Sequence, residues 1–215
     1  HTNYPTVAAT GSRCQRRMSK RHYIFGYGSL INSTSRRLTG IAGDSLAVRV
    51  QGLERTWVGW KGMGMRAVAA RPMLGACCNG VLFEVPETEL EKFDAREHHY
   101  VRVQLDLAQV DYLEGAQALT VNAQVWVYLY NHQEQGLVSA PIVQSYLDVI
   151  LLGCQEISPQ FTLEFIQHTL NWEYWHNDRH RPIYPRPQSH AEAEQLDQLM
   201  AKQLPQAFTL RRLAP

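Results

Sequence analysis

A chain of 215 residues, 45% hydrophobic and 10% aromatic, can bury one substantial core, which excludes disorder as the default. Its 21 basic and 20 acidic side chains nearly cancel, leaving no field of one sign with which to attract nucleic acid or an anionic membrane. Cys14, Cys77, Cys78 and Cys154 show no Cys-x-x-Cys spacing, and no apolar run approaches the ~20 residues of a membrane helix, so the chain reads as a soluble, cytoplasmic protein.

Residues 1–21 carry Arg13, Arg16, Arg17, Lys20 and Arg21 and no acid, and Met18 stands just before the first apolar run. This stretch reads as a leader outside the fold, with 22–204 as a single domain and 205–215 as a tail that frays beyond Leu204. The first strand is Tyr23-Ile24-Phe25, which breaks at Gly26 and Gly28 into Ser29-Leu30-Ile31. Residues 32–37 are polar, expected as loop with one helical turn. Ala47 to Trp60 and Met65 to Arg71 read as strands joined by Lys61-Gly62-Met63-Gly64, a hairpin connection. Gly80 to Val85 is a short strand stopped by Pro86, which opens a helix through Leu90 and Phe93.

Tyr100 to Leu107 and Leu119 to Tyr130 alternate apolar and polar or aromatic positions, as half-buried strands do. From Ser139 the period becomes helical: one helix stopped at Gly153, one opened by Ser158-Pro159, and a last one over Ala191 to Lys202. Between them, 172–187 concentrates Trp172, Trp175, Tyr184, Arg179, Arg181 and Arg186 among prolines. The expected fold class is α+β: a small mixed β-barrel of about six strands, closed or nearly so, flanked by helices.

The glycine turn is where chemistry concentrates. A dinucleotide fingerprint needs a third glycine where Ile31 stands, and a nucleophile elbow needs Gly-x-Ser-x-Gly, which Gly28-Ser29 does not satisfy. What remains is a turn offering the amides of Gly28, Ser29 and Leu30 and the Ser29 hydroxyl to a small polar ligand. The Tyr27-Gly28-Ser29-Leu30 loop after a first strand, followed about seventy residues on by Asp94-Ala95-Arg96-Glu97 and then Tyr100 and Arg102, resembles the gamma-glutamylcyclotransferase-like family. Leu30 is of the ChaC-like type, whereas His98-His99 replaces the Gly-containing insert usual in the glutathione-specific branch.

The resemblance implies attack of a γ-glutamyl α-amine on its own γ-carbonyl, giving 5-oxoproline and a free amine or peptide, with glutathione among the candidate substrates and no metal or cofactor. It implies Glu97 as general base and acid, and the 28–30 amides as an oxyanion site or a grip on the glutamyl carboxylate. Tyr27 and Tyr100 would orient the base or line the pocket, and Arg102, or else Arg36, Arg179 or Arg181, would pair with a substrate carboxylate. Segment 172–187 is expected to fold over the barrel mouth and recognise the substrate beyond its glutamyl group.

Without the resemblance, Glu97 is a helix-end acid, the glycines a tight turn, Asp94 a structural acceptor and Cys77-Cys78 buried packing. His98 and His99 would point to opposite sides of an extended chain with no third ligand at metal-type spacing, and His176 and His180 stand four apart with Asp178 between but among prolines that weaken a helical face. A noncatalytic small-ligand or protein-binding member of the same fold, or a phosphate-binding module resting on the glycines alone, would keep the turn without Glu97 chemistry. Oligomeric state is left open.

Overall fold

Three strands form the spine of the structure, a computed structural model that describes residues 19–41, 43–60, 62–113, 115, 117–131, 139–185 and 189–215. They are β1 (Arg21–Gly26), β2 (Ser45–Trp60) and β3 (Met65–Val85). The leader through residue 18, Cys14 within it, Lys61 of the hairpin connection and Arg186 lie outside the described residues. β2 and β3 pair antiparallel from Trp60↔Met65 to Ser45↔Phe83, with one register shift between Gln51 and Leu53. The two strands expected at 65–71 and 80–85 are therefore one continuous strand. The exposed middle of β3, around Met73 and Leu74, lacks the alternation by which a half-buried strand is recognised.

After β3, Pro86 leads through a 3-10 turn into α2 (Leu90–Arg96), and β4 (Tyr100–Leu105), β5 (Val110–Tyr112) and β6 (Ala123–Tyr130) follow. The short α1 (Ser33–Leu38) precedes β2. The strand order is β4-β6-β1-β3-β2-β5, with β8 (Thr169–Leu170) beside β2. β1 is parallel to β6 and antiparallel to β3. The mixed sheet curls into a half-barrel rather than closing, because its edge strands β4 and β5 do not pair with each other. Its strands are buried on both faces: Ile24, Val81 and Phe83 lie on one and Val50, Val125 and Val127 on the other, and all belong to the core.

Helices cover that core. β7 (Ile142–Val143) runs into α3 (Gln144–Ile157), and α4 (Pro159–Gln167) follows, capped by Ser158, whose hydroxyl accepts from the Phe161 amide. Gly153 does not end α3. It lies where the helix meets Asn32, and a Cβ there would come within 2.5 Å of the Asn32 amide nitrogen. β9 (Trp175–Asn177) and α5 (His190–Gln203) follow. Beyond Leu204 the chain does not fray: α6 (Pro205–Thr209) puts Phe208 edge-on to Trp175, and β10 (Arg212–Leu213) pairs with β9. Proline-capped and aromatic, this segment holds the apolar contacts that order a terminus.

Candidate functional site

β1 delivers the chain into a tight turn at the mouth of the half-barrel. Ile31 donates the first hydrogen bond of a 3-10 turn to the Gly28 carbonyl, so the amides of Gly28, Ser29 and Leu30 precede it and have no partner within the turn. Beneath the turn lies Arg55, fully buried, whose Nη1 donates to the Tyr27 carbonyl at 3.2 Å. A trans peptide holds its C=O and N–H in opposite directions. With the Tyr27 oxygen drawn toward Arg55, the Gly28 N–H turns to the other side. Only glycine fits at 28, since a Cβ would lie 2.6 Å from Val68 Cγ2 and 3.4 Å from the Tyr146 hydroxyl.

The turn lines a cavity of about 310 Å³. It is lined by Tyr27, Gly28, Ser29 and Leu30, by Arg96, Glu97 and Tyr100, and by the aromatic Trp60, Tyr146 and Tyr184, with Ala67, Val68, Tyr128, Ser35, Leu38 and Thr39 among the other lining residues. Glu97 and Tyr100 lie together because Tyr100 N–H donates to the Glu97 carbonyl at 2.9 Å, which folds 97–100 into a four-residue turn with His98 and His99 at its centre. Burial raises the proton affinity of the half-buried Glu97 above the ordinary carboxylate value, against the opposing influence of Arg96 and His98. Burial also holds Tyr27, Tyr100 and Tyr146 well above the usual phenol range, so they remain neutral hydroxyls. Tyr27 donates to the Tyr128 carbonyl at 2.5 Å and Tyr100 to the Val68 carbonyl at 3.2 Å.

Seven residues were singled out from the sequence, and six of them meet in this cavity. Arg102 does not line it. Its guanidinium grips Asp94 at 2.8 and 3.1 Å and lies 4.5 Å from the Trp126 ring centroid. Asp94 in turn accepts from the Tyr128 hydroxyl at 2.9 Å, so this pair braces a wall residue instead of offering a free cation. The other arginines considered for a carboxylate are also engaged: Arg36 donates to the Leu30 and Ile31 carbonyls, and Arg179 is forked onto the buried Asp148 and also reaches Asp197. Arg181 is exposed and outside the lining.

Sequence reasoning missed Tyr146 as a cavity residue, and of segment 172–187, expected over the mouth, Tyr184 is the residue among those described that lines the cavity. Tyr184 packs edge-on to Tyr146 at 5.0 Å, and both face Trp60. Asp178 folds the chain back to place it: its carboxylate accepts from the Ser145 amide and hydroxyl and from the Ile183 amide, and Ser145 Oγ accepts from Tyr184 N–H. No periodicity announces so irregular a path, although an Asp followed by prolines and an aromatic was the available signal.

Among the described residues one group of metal-type donors comes together, Cys77, Glu164 and His168, with donor atoms within 4.8 Å of one another. None of the three lines the cavity, and the Glu164 carboxylate is already held by both sides of the Arg49 fork. Cys78 is buried packing, whereas Cys77 is partly exposed against His168. His98, His99, His176 and His180 belong to no such group among the described residues.

Comparison with known proteins gives the following. The family model described as "Gamma-glutamyl cyclotransferase, AIG2-like" matches residues 24–145, more than half of the chain. Among solved structures, one titled "Gamma-glutamyl cyclotransferase" is similar at a TM-score of 0.55 and 16% identity, covering 83% of this chain and 99% of that one. An uncharacterized protein from Homo sapiens is similar at 0.53 and 16%, with the same coverage. YkqA from Bacillus subtilis is similar at 0.51 and 20%, covering 69% of this chain and 54% of its own. At these identities the likeness is one of fold. No curated protein matches the sequence significantly.

Proposed function

The chain belongs to the gamma-glutamyl cyclotransferase, AIG2-like family, and we propose that it cyclises the γ-glutamyl group of a γ-glutamyl peptide or amine to 5-oxoproline. The observation that carries this reading is a half-buried carboxyl of raised proton affinity, Glu97, in one cavity with a turn whose first amides have no partner within it.

The reaction needs a curled substrate, an amine freed of a proton and a place for negative charge. A cavity of about 310 Å³ is at the small end of ligand pockets, suited to a glutamyl chain folded so that its α-nitrogen meets its γ-carbon. Holding that geometry supplies several kcal/mol as effective molarity. Glu97 accepts a proton from the α-ammonium. The freed nitrogen attacks the γ-carbonyl, a C–N bond forms, and the carbonyl oxygen becomes an oxyanion facing the amides of Gly28, Ser29 and Leu30. As the oxyanion reverts to a carbonyl, the bond to the leaving nitrogen breaks and Glu97 returns the proton to that nitrogen; the ring nitrogen then gives its second proton to the regenerated Glu97 carboxylate, which passes it to the departing amine, so that a neutral lactam and a protonated amine are released. A carboxyl with raised proton affinity is suited to these transfers. Tyr27 and Tyr100 give the cavity its neutral hydroxyl walls, and Trp60, Tyr146 and Tyr184 form the aromatic side against which the leaving group rests. Arg102 has no direct part in this scheme, being committed to Asp94.

The test is a panel of γ-glutamyl dipeptides, γ-glutamyl amines and glutathione with chromatographic detection of 5-oxoproline. Wild type is expected to release it from at least one class and Glu97→Gln from none. A folded wild type that releases none from any of them would rule the reading out.

A further inference from the structure

Ser35 lines the cavity at 4% exposure, and its Oγ is buried without a hydrogen-bond partner among the described residues. We propose that this hydroxyl is a substrate-binding group that donates to the α-carboxylate of the γ-glutamyl unit. The assignment rests on the cyclotransferase reading for the identity of the ligand, and on local hydrogen bonding for everything else.

A serine within a helix ordinarily satisfies itself by bonding the carbonyl three or four residues back. Here Ser35 Oγ makes neither bond; Arg36 Nη1 donates to the Ile31 carbonyl at 2.8 Å and the Arg36 backbone N–H to the Asn32 carbonyl at 3.1 Å. Other hydroxyls on the same cavity have protein acceptors. Tyr27 reaches the Tyr128 carbonyl, Tyr100 that of Val68, Thr39 that of Arg36, and Tyr128 reaches Asp94. Among the described residues Ser35 Oγ is the buried hydroxyl of the cavity with no partner, and leaving a buried hydroxyl unpaired is costly. Its position is also fixed. The Ser35 amide donates to Asn32 Oδ1 at 3.2 Å, Asn32 Nδ2 donates to the Val149 carbonyl at 2.9 Å, and α3 passes so closely that only glycine fits at 153. A preorganised, unpaired donor on a cavity wall is what an anionic ligand needs. In the proposed reaction the ammonium is taken by Glu97 and the γ-oxygen by the turn amides. The α-carboxylate is the remaining charged group.

The proposal predicts opposite changes from one substitution. Ser35→Ala removes an unsatisfied hydroxyl from the free protein, so Tm is expected to rise by about 2–4 °C. It also removes a donor from the complex, so kcat/KM for the best γ-glutamyl substrate is expected to fall about tenfold, mainly through KM. A loss of kcat/KM at equal or higher Tm supports the assignment. Unchanged kcat/KM, or a loss accompanied by a lower Tm, overturns it. Should wild type release no 5-oxoproline at all, the cyclotransferase reading fails separately, and thermal shifts with L-glutamate decide on Ser35. A shift in wild type that Ser35→Ala abolishes keeps it as a carboxylate-binding residue, and a shift shared by both proteins, or seen in neither, overturns it.

Discussion

Arg55 makes the sharpest prediction about stability. It is 0% exposed and, among the described residues, has no carboxylate partner. Neutral acceptors surround it instead: Asn79 O and Oδ1 at 2.7 Å, Thr169 Oγ1 at 2.8 Å and Tyr27 O at 3.2 Å, with the Phe165 ring centroid 3.8 Å from its guanidinium carbon. Arg55→Met fills similar volume but removes the donors to Asn79 O, Asn79 Oδ1 and Tyr27 O, while Thr169 keeps its bond to the Phe165 carbonyl. Each buried acceptor deprived of its donor costs about 1–3 kcal/mol. Part of that is offset because a desolvated cation is no longer buried. The net loss is expected at roughly 3–6 kcal/mol, a large share of the 5–15 kcal/mol typical of a whole domain. Arg55→Lys keeps the charge but not the fork and should lose about half as much. Guanidinium chloride unfolding followed by tryptophan fluorescence measures both. An Arg55→Met protein within about 1 kcal/mol of wild type would refute the argument that these acceptors depend on the guanidinium.

Three further outcomes follow from the site. Gly28→Ala forces a Cβ to 2.6 Å from Val68 Cγ2 and must displace the turn, so steady-state assays should show kcat/KM reduced about 100-fold or more; near-normal turnover would mean that the turn is not the oxyanion site. Because burial raises the folded-state proton affinity of Glu97, the acid limb of the kcat/KM profile should lie above the ordinary carboxylate pKa of 4.5. The stability linked to protonated Glu97 is present below that ordinary value and lost as pH rises through the raised one, so Glu97→Gln should gain stability over wild type at neutral pH and not at pH 4; an equal offset at both would contradict the burial argument. Tyr184→Ala should raise KM about tenfold for substrates with bulky leaving groups and leave kcat within threefold, and an unchanged KM would remove Tyr184 from substrate recognition.

The residues that meet in the cavity were readable because their signals are local. Gly28 and Ser29 follow an apolar run directly, and Glu97 and Tyr100 stand three apart between a helix pattern and a strand pattern. The half-barrel with its helices was readable for the same reason, since alternation and helical periods survive in most elements. What sequence could not supply was competition for partners. Arg102 is as suited to a carboxylate as any arginine in the chain, but Asp94 lies on the adjoining helix and takes it. The continuous β3 was hidden by its exposed middle, and β5 by being three residues long. Ser35 carries no sequence signal, because an unpaired hydroxyl is visible only once its surroundings are in place.

The family match ends at residue 145, yet Tyr146 and Tyr184 complete the cavity wall. That wall depends on a buried polar lattice: Asp178 holds the 178–184 excursion through Ser145, Arg179 ties it to Asp148 and Asp197, and Arg211 binds Asp197 and Gln144 from the C-terminal segment. Buried ion pairs are poor sources of net stability, whereas breaking one is strongly destabilising. Their effect here is to fix a loop that few apolar contacts would hold. In the proposed reaction the sheet half therefore supplies the turn and the acid, and the helical half supplies Tyr146 and Tyr184 of the cavity wall. Substitution of Tyr184 should alter which leaving group is accepted without disturbing how the ring closes, because Tyr184 belongs neither to the turn nor to the 97–100 corner.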